Sequence, residues 1–191
     1  MKKRPFRNSV FIFALFILSQ GIIYAQSKAQ TQPQQLPDGF GGIKLGMSVD
    51  EVKIALLKNL DFGYRGDRDV SLLPGENRVL IETDASRVGY SYLSRCWFQF
   101  YEDKLYIITI NLNPEKMDHY SIFSTLCKKY GNPGTLDPEK STWQNDVVIM
   151  SLERPLTLKY TDKIVFDKLQ NQSLVNKSAQ EMSRDEFLEG L

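Results

Sequence analysis

The segment Arg95–Leu112 reads RCWFQFYEDKLYIITINL, and its pattern sets the fold class of the chain. Side chains of contrasting character alternate on both sides of a charged turn at Glu102–Lys104. A period of two, with many aromatic and β-branched residues, is typical of β-strands. We therefore predict an antiparallel hairpin. One side of its first strand carries Cys96, Phe98 and Phe100, the other side carries Trp97, Gln99 and Tyr101, and the returning strand groups Tyr106, Ile108, Ile110 and Leu112.

Two helices are predicted outside this hairpin. Ser48–Leu60 begins with Ser48 and Glu51 in capping-box spacing and repeats its apolar residues at helical intervals. Asp118–Tyr130 has a similar apolar stripe and ends at Gly131, with Pro133 beyond it. Further strands are predicted at 78–83, 141–146, 147–154 and 156–166.

This order of elements predicts an α+β fold with helices packed on antiparallel sheet, arranged as two tandem helix-on-sheet units. Such packing would remove the apolar face of each helix from water. The predicted segments are a signal peptide (1–25), a flexible linker (26–39), a first α+β unit (40–113), a second α+β unit (114–168) and a polar C-terminal tail (169–191).

The first 25 residues have the pattern of a secretory signal. Four basic residues precede the uncharged run Val10–Ala25, which is short for a membrane span. We predict cleavage after Ala25, and an uncleaved anchor is the alternative. Cleavage leaves 20 basic and 23 acidic residues, a formal charge of −3. This balance of charges argues against a nucleic-acid partner. The signal predicts a periplasmic or secreted protein, and because no second long apolar run follows, no transmembrane span is predicted after cleavage.

Gly41–Ser48, GGIKLGMS, has nearly the spacing of a phosphate-binding loop. Met47 occupies the position of the required lysine, and no hydrophobic strand precedes the segment. Ser48 is explained by its role as a helix cap. We therefore predict an ordinary helix start and no nucleotide or other cofactor.

Other motifs have ordinary structural explanations. Arg65–Asp67 is the tripeptide that integrins bind, within a polar stretch that also predicts a solvated turn. Asp67 and Asp69 lack the remaining ligands of a calcium loop. His119 is the only histidine and is expected at the surface, so a histidine metal cluster is not predicted. No recognised catalytic spacing occurs, so no enzyme is predicted.

Cys96 and Cys127 are both expected to face the core, one from a strand and one from a helix. Because exported proteins meet oxidising conditions, a disulfide between them is one reading. Two buried thiols that pack as small hydrophobes are the other.

An aromatic row is the candidate binding surface. Tyr90, Tyr92, Trp97 and Tyr101 fall on one alternating side of a long strand region, with Gln99 among them. If Phe98 and Phe100 face a helix, this row faces outward, where it would suit contact with a protein or a glycan. Burial of the row between two packed sheets is the alternative.

FGGIKLGMSVDEV (Phe40–Val52) resembles the opening of the small SmpA/OmlA, or BamE-like, outer-membrane-assembly module, and LCKKYGNP (Leu126–Pro133) is similar to the end of its helix. Tandem copies of a similar unit occur in the β-lactamase-inhibitor-protein fold. The resemblance implies a periplasmic, non-enzymatic protein that binds an envelope protein. This chain lacks the lipid-bearing cysteine that anchors those modules. A periplasmic hydrolase with an unrecognised carboxylate site and a host-facing adhesin are the alternatives.

Overall fold

The computed structural model describes residues 35–75 and 77–190, without the side chain of Asp185. These residues contain ten strands and three α-helices. The predicted signal peptide and most of the linker lie outside this range. The α-helices are α1 (Val49–Lys58), α2 (His119–Tyr130) and α3 (Lys163–Glu189). The strands are β1 (Gly39–Phe40), β2 (Ile43–Lys44), β3 (Val70–Leu72), β4 (Arg78–Asp84), β5 (Leu93–Tyr101), β6 (Lys104–Leu112), β7 (Thr135–Leu136), β8 (Lys140–Gln144), β9 (Val148–Glu153) and β10 (Thr157–Asp162).

Eight of the strands form one antiparallel sheet in the order β3-β4-β5-β6-β10-β9-β8-β7. β1 and β2 form a separate two-stranded hairpin. The predicted hairpin is β5–β6, at the centre of the sheet, and β10 pairs with β6 over Thr157–Thr161. The edge strands are short, with three residues in β3 and two in β7. The α+β class is therefore confirmed.

One face of the sheet holds the hydrophobic core. Phe98 pairs across the strands with Ile81 on β4 and with Ile108 on β6, and all three side chains are fully buried. α1 buries Val52 and Leu56, and α2 buries Leu126. These side chains belong to the same cluster, so we call this face of the sheet the helix face. Burial of apolar area contributes about 25 cal/mol per Å², which makes this cluster the main source of stability.

The residues that begin and end α1 and α2 include those predicted from sequence. Ser48 caps α1 with the predicted capping box, its hydroxyl accepting from the Glu51 amide while the Glu51 carboxylate accepts from the Ser48 amide. Asp118 caps α2 by accepting from the Ser121 amide. Gly131, with φ of 77°, follows the last residue of α2 as predicted.

The predicted strand 156–166 is correct only as far as Asp162. The carboxylate of Asp162 accepts a hydrogen bond from the Val165 amide and starts α3, so Lys163–Phe166 are helical. Sequence alone favoured a strand because Ile164, Val165 and Phe166 are β-branched or aromatic. α3 continues as helix through most of the predicted polar tail, and every side chain described from 171 to 190 is exposed.

β5 and β6 contain two irregularities in their pairing, one between Leu93 and Arg95 and one between Gln99 and Phe100. The second one turns Tyr106 toward Gln99, to whose side-chain oxygen the Tyr106 hydroxyl donates at 3.4 Å. The prediction that Tyr106 shares a side with Ile108 is therefore wrong, because a β-bulge shifts the alternation. No helix in the described residues is both long and apolar enough to cross a membrane.

Candidate functional site

The face of the sheet opposite the helix face, which we call the open face, carries half-buried Trp97 at its centre. Trp97 pairs with Glu82 on β4 and with Thr109 on β6, and Thr109 pairs with Lys159 on β10. A large aromatic ring therefore stands among polar and charged neighbours. This combination of an apolar body and a polar rim is common in protein-binding surfaces.

The rim of the open face bears ion pairs that remain largely exposed. Arg95 lies 3.7 Å from Glu82, and Lys140 lies 3.1 Å from Glu153. Burial works to raise the pKa of the Glu153 carboxyl, but its hydrogen bonds with Lys140 and Ser151 outweigh that effect, so its pKa is lowered. Glu153 therefore keeps its negative charge. Exposed pairs of this kind contribute less than about 1 kcal/mol each to stability.

One end of the open face is bounded by α3. Lys168 places its Nζ 5.2 Å from the centre of the Tyr101 ring and 3.6 Å from the Glu102 carboxylate. Ile107 and Thr161 are only 6% and 5% exposed, although they lie on this face. α3 contacts β10, and its first turns carry the half-buried side chains Val165, Phe166 and Leu169, so we infer that they cover Ile107 and Thr161. Tyr101 is thus partly covered, while Trp97 lies four residues earlier on β5.

The predicted aromatic row is divided between two places. Trp97 and Tyr101 lie on the open face, but Tyr90 and Tyr92 precede β5 and are 63% and 59% exposed. The pairing shift after Leu93 breaks the alternation on which the row depended. Tyr92 instead contacts Lys116, whose Nζ lies 5.9 Å from the centre of the ring.

Tyr92 lines a groove on the helix face, which we call the α2 groove. Its volume is about 380 Å³, and it runs between the chain around β1 and helix α2. Strands β5, β6 and β10 form its floor with the largely buried residues Leu93, Leu112, Leu158 and Tyr160. The side from α2 includes Ile122, Leu126 and Tyr130. Sequence analysis missed this groove because its residues come from separate elements, and their apolar character predicted only core packing.

Tyr160 is the buried polar group of the α2 groove. Its side chain is 4% exposed, and burial, together with the nearby Tyr130, raises the pKa of its hydroxyl well above the ordinary value of 10. The hydroxyl therefore stays protonated at any physiological pH.

His119 lies beside a second hollow, of about 500 Å³, which is also lined by Asp118 and Arg154. Burial lowers the pKa of His119 below 6.5, and the positive charge of Arg154 lowers it further, while Asp118 opposes them. The cap of α2 is Asp118, so His119 does not itself cap the helix. In the described part of the chain, no group of three or more His, Cys, Asp or Glu side chains is arranged to hold a metal ion.

The Arg65–Asp67 tripeptide is held in a local ion-pair network. The Arg65 guanidinium donates to the Asp69 carboxylate at 2.8 and 3.1 Å, and the side chain of Asp69 is fully buried. Asp67 is 91% exposed and accepts from Lys53 at 2.9 Å. The arginine is thus engaged within the protein. The expected turn is present, since Gly66 has φ of 90° and precedes a short 3₁₀ helix.

Both cysteines are free thiols in the structure. Cys96 is fully buried on β5, and burial raises the pKa of its thiol to about 12, against a smaller opposite effect of Thr83. Cys127 is half-buried on α2. The structure therefore contains two free thiols that pack as hydrophobic side chains, which was one of the two predicted alternatives. Because its pKa is raised, Cys96 is too weakly acidic to act as a thiolate.

Gly41–Ser48 forms the turn of the β1–β2 hairpin and the approach to α1. Gly41 and Gly42 have φ of 62° and 89°, which suits a tight turn. Beyond β2, the Gly46 amide donates to the Leu105 carbonyl, and the Leu105 amide donates to the Met47 carbonyl. These backbone groups are engaged with β6, as expected of a helix start.

The model of one protein family, described as the TP0088 domain, matches residues 38–172. A comparison with curated proteins and another with solved structures each gave no match. The family match begins just before β1, includes all ten strands and both α1 and α2, and ends within α3. It covers well over half of the chain. This protein therefore belongs to the TP0088 domain family.

Proposed function

We propose that this chain is an exported, non-enzymatic protein that binds another protein of the cell envelope through the open face. The observation that carries the proposal is the position of Trp97, a large aromatic ring that is half-buried in the middle of a broad sheet face. Tryptophan is among the residues that most often dominate binding energy in protein interfaces. The mixed charges around it supply the polar rim that such interfaces have.

We also infer that the fold consists of two tandem helix-on-sheet units that share one sheet. The first would contain α1 and β3–β6, and the second α2 and β7–β10. Two features support this inference. Each helix is followed by four strands, and the strand order is mirrored about the β6–β10 pair. A shared sheet leaves one broad face free of α1 and α2, which suits contact with a folded protein.

Site-specific photo-crosslinking tests the binding surface. A photoreactive phenylalanine analogue replaces Trp97 in one variant and Tyr120 in the control. Tyr120 is 74% exposed but lies on α2, whose packing is on the helix face. Irradiation of cells that make each protein should give a covalent adduct with one envelope protein from position 97 and none from position 120.

Competition with unlabelled protein decides whether the adduct reflects specific binding. An excess of the purified native chain should suppress the adduct, whereas an equal excess of Trp97→Ala should suppress it much less, because truncation of a central interface tryptophan typically costs 2 kcal/mol or more. Matching thermal melting curves establish that the variant is folded. Equal competition by the two proteins, or the same adduct from position 120, contradicts the proposal.

Export is tested separately by the mass of the protein recovered from the envelope fraction. Removal of the basic and apolar N-terminal segment should give a chain that begins at Gln26. Recovery only of the full-length chain in the cytoplasmic fraction would refute export without bearing on the binding surface.

A further inference from the structure

The hollow beside His119, which we call the His119 hollow, combines apolar walls with a positive charge. Its volume of about 500 Å³ lies within the range of roughly 300 to 1,000 Å³ that small-molecule sites have. The apolar part of its lining consists of Tyr120, Phe123, Leu136 and Pro138. Phe123 packs against the buried Trp143, with ring centres 6.2 Å apart, so this wall is held by the core.

Arg154 supplies the positive charge of the His119 hollow. Its Nε donates to the Pro138 carbonyl at 2.8 Å, which fixes the guanidinium beside the apolar wall. The terminal nitrogens carry the remaining N–H groups, and among residues 35–75 and 77–190 no carboxylate lies within ion-pair distance of them. The charge is near enough to His119 to lower the pKa of the imidazole. Two groups that can donate to an anion therefore meet in this hollow.

The two carboxylates that line the hollow are engaged with the ends of local structure. Asp118 accepts from the amide and the hydroxyl of Ser121 at 2.9 and 2.6 Å. Asp137 accepts from the amide of Lys140 at 2.7 Å. Arg154 is therefore the charge that a ligand would neutralise. The same two carboxylates would repel a doubly charged anion such as phosphate more strongly than a singly charged one.

Ser141 adds a hydroxyl at the sheet side of the hollow. Its side chain is part of the lining, and the residue is only 3% exposed. A mostly apolar cleft with a few polar groups that fix the orientation of the ligand is the usual design of a small-molecule site. The hollow has this design, with one cationic and two neutral hydrogen-bonding groups.

We infer that the His119 hollow binds a small carboxylic acid with an aromatic or branched apolar body, whose carboxylate accepts hydrogen bonds from Arg154 while the body packs against Tyr120 and Phe123. A guanidinium matches a carboxylate with two parallel hydrogen bonds, and such charge-assisted bonds are stronger than neutral ones. The imidazole of His119 donates a further bond to the same group.

This site is separate from the proposed protein-binding surface. Ser141 pairs with Leu152 on β9, and Leu152 belongs to the core cluster of the helix face, whereas Trp97 lies on the open face. The two proposals therefore stand or fall independently. Trp97→Ala should leave binding of the acid unchanged, and Arg154→Gln should leave the envelope adduct from position 97 unchanged.

Nuclear magnetic resonance of His119 tests the site in the full chain. The probes are 3-phenylpropionate, the uncharged 3-phenylpropionamide and inorganic phosphate. A carboxylate beside the imidazole stabilises its charged form, so saturating 3-phenylpropionate should raise the pKa of His119. Besides Arg154, the charged side chains that line the hollow are Asp118, Asp137 and Lys140, the last paired with Glu153. They are the same with and without the probe, so the difference reports the bound acid.

The amide and phosphate separate the two parts of the inferred ligand. 3-Phenylpropionamide keeps the apolar body without the charge and should bind about tenfold more weakly than the acid. Phosphate has charge without an apolar body and should also bind more weakly. Equal binding of acid and amide, preference for phosphate over the acid, or the absence of saturable binding of the acid would overturn the inference.

Two variants locate the acid in the hollow. Arg154→Gln should weaken binding of 3-phenylpropionate about tenfold, whereas Lys128→Gln, which removes one positive charge at the other end of α2, should leave it within twofold. Tyr120→Ala should weaken binding several-fold and keep the native melting temperature, because Tyr120 is 74% exposed. Native affinity in both Arg154→Gln and Tyr120→Ala would contradict the assignment to this hollow.

Discussion

His119 is the first residue of α2, where the unpaired backbone amides of the helix disfavour a positive charge. Partial burial and the charge of Arg154 both lower its pKa. The sequence correctly indicated a residue near the surface at a helix start. It gave no indication of Arg154, which follows β9 and approaches His119 only in the folded chain.

We predict that nuclear magnetic resonance titration will give a pKa below 6.5 for His119, whose imidazole signal is unambiguous because the chain has one histidine. Arg154→Gln should raise this pKa toward 6.5. Lys128→Gln, which removes a charge from the other end of α2, should leave it unchanged.

The lowered pKa of His119 also makes the free energy of unfolding depend on pH. The folded pKa lies below the unfolded value, so on acidification the unfolded chain takes up a proton first. The contribution is complete above pH 6.5 and is lost as the pH falls through the folded pKa. His119→Gln should remove this component of the pH dependence of unfolding. A measured pKa of 6.5 or above would contradict the assignment.

Turns impose the sharpest sequence requirements among the elements of this fold. Gly63 follows the 3₁₀ helix Leu60–Phe62 with φ of 64°, and a Cβ at this position would lie 2.4 Å from the Asp84 carbonyl oxygen. Both the left-handed backbone and the close approach to the end of β4 require glycine. The turn holds Phe62, which packs edge-on against Phe98 with ring centres 5.7 Å apart.

Gly63→Ala is therefore expected to lower the free energy of unfolding by about 3 kcal/mol or more, because backbone strain and a steric clash add. Gly89→Ala is the matched control, since a Cβ there would meet no atom within 4 Å and its φ is not in the left-handed region. It should leave stability unchanged or raise it by up to about 1 kcal/mol. Urea unfolding of the two variants measures the difference, and equal stabilities would refute the role of Gly63.

The elements that local chemistry specifies were predictable from sequence. α1 and its capping box, α2 with Gly131, and the hairpin β5–β6 all lie close to their predicted positions. The start of α3 was not predictable from sequence, because Lys163–Phe166 contains residues that favour strands. The segment is helical because Asp162 caps it and sheet pairing ends there. The aromatic row failed for a related reason, since bulges interrupt alternation without a clear sequence signal.

For the chain as a whole, the family match and the packing both end within α3. The match stops at Gln172, and described side chains from 171 onward are exposed. The first turns, in contrast, carry half-buried side chains, which we infer to cover Ile107 and Thr161 at one end of the open face. The sequence analysis placed the start of a polar tail at 169, whereas in the structure the helix α3 continues through this segment and carries exposed apolar residues such as Leu174, Met182 and Phe187.

Two truncations should therefore behave differently. A chain that ends at Gln172 should unfold in urea with a free energy within about 0.5 kcal/mol of the full chain, because exposed positions contribute little. A chain that ends at Asp162 should lose about 2 kcal/mol or more, since it exposes Ile107 and its neighbours to water. Similar losses in both truncations would mean that the exposed half of α3 has a packing partner.

The short edge strands β3 and β7 limit backbone pairing between this sheet and a strand of another polypeptide. A long flat margin would offer a row of free amides and carbonyls on which a foreign strand could assemble, as happens in fibrils. Here each margin ends after two or three residues. We therefore predict that another polypeptide could pair with either edge over only two or three residues, so that the protein contact proposed here would rest mainly on side chains.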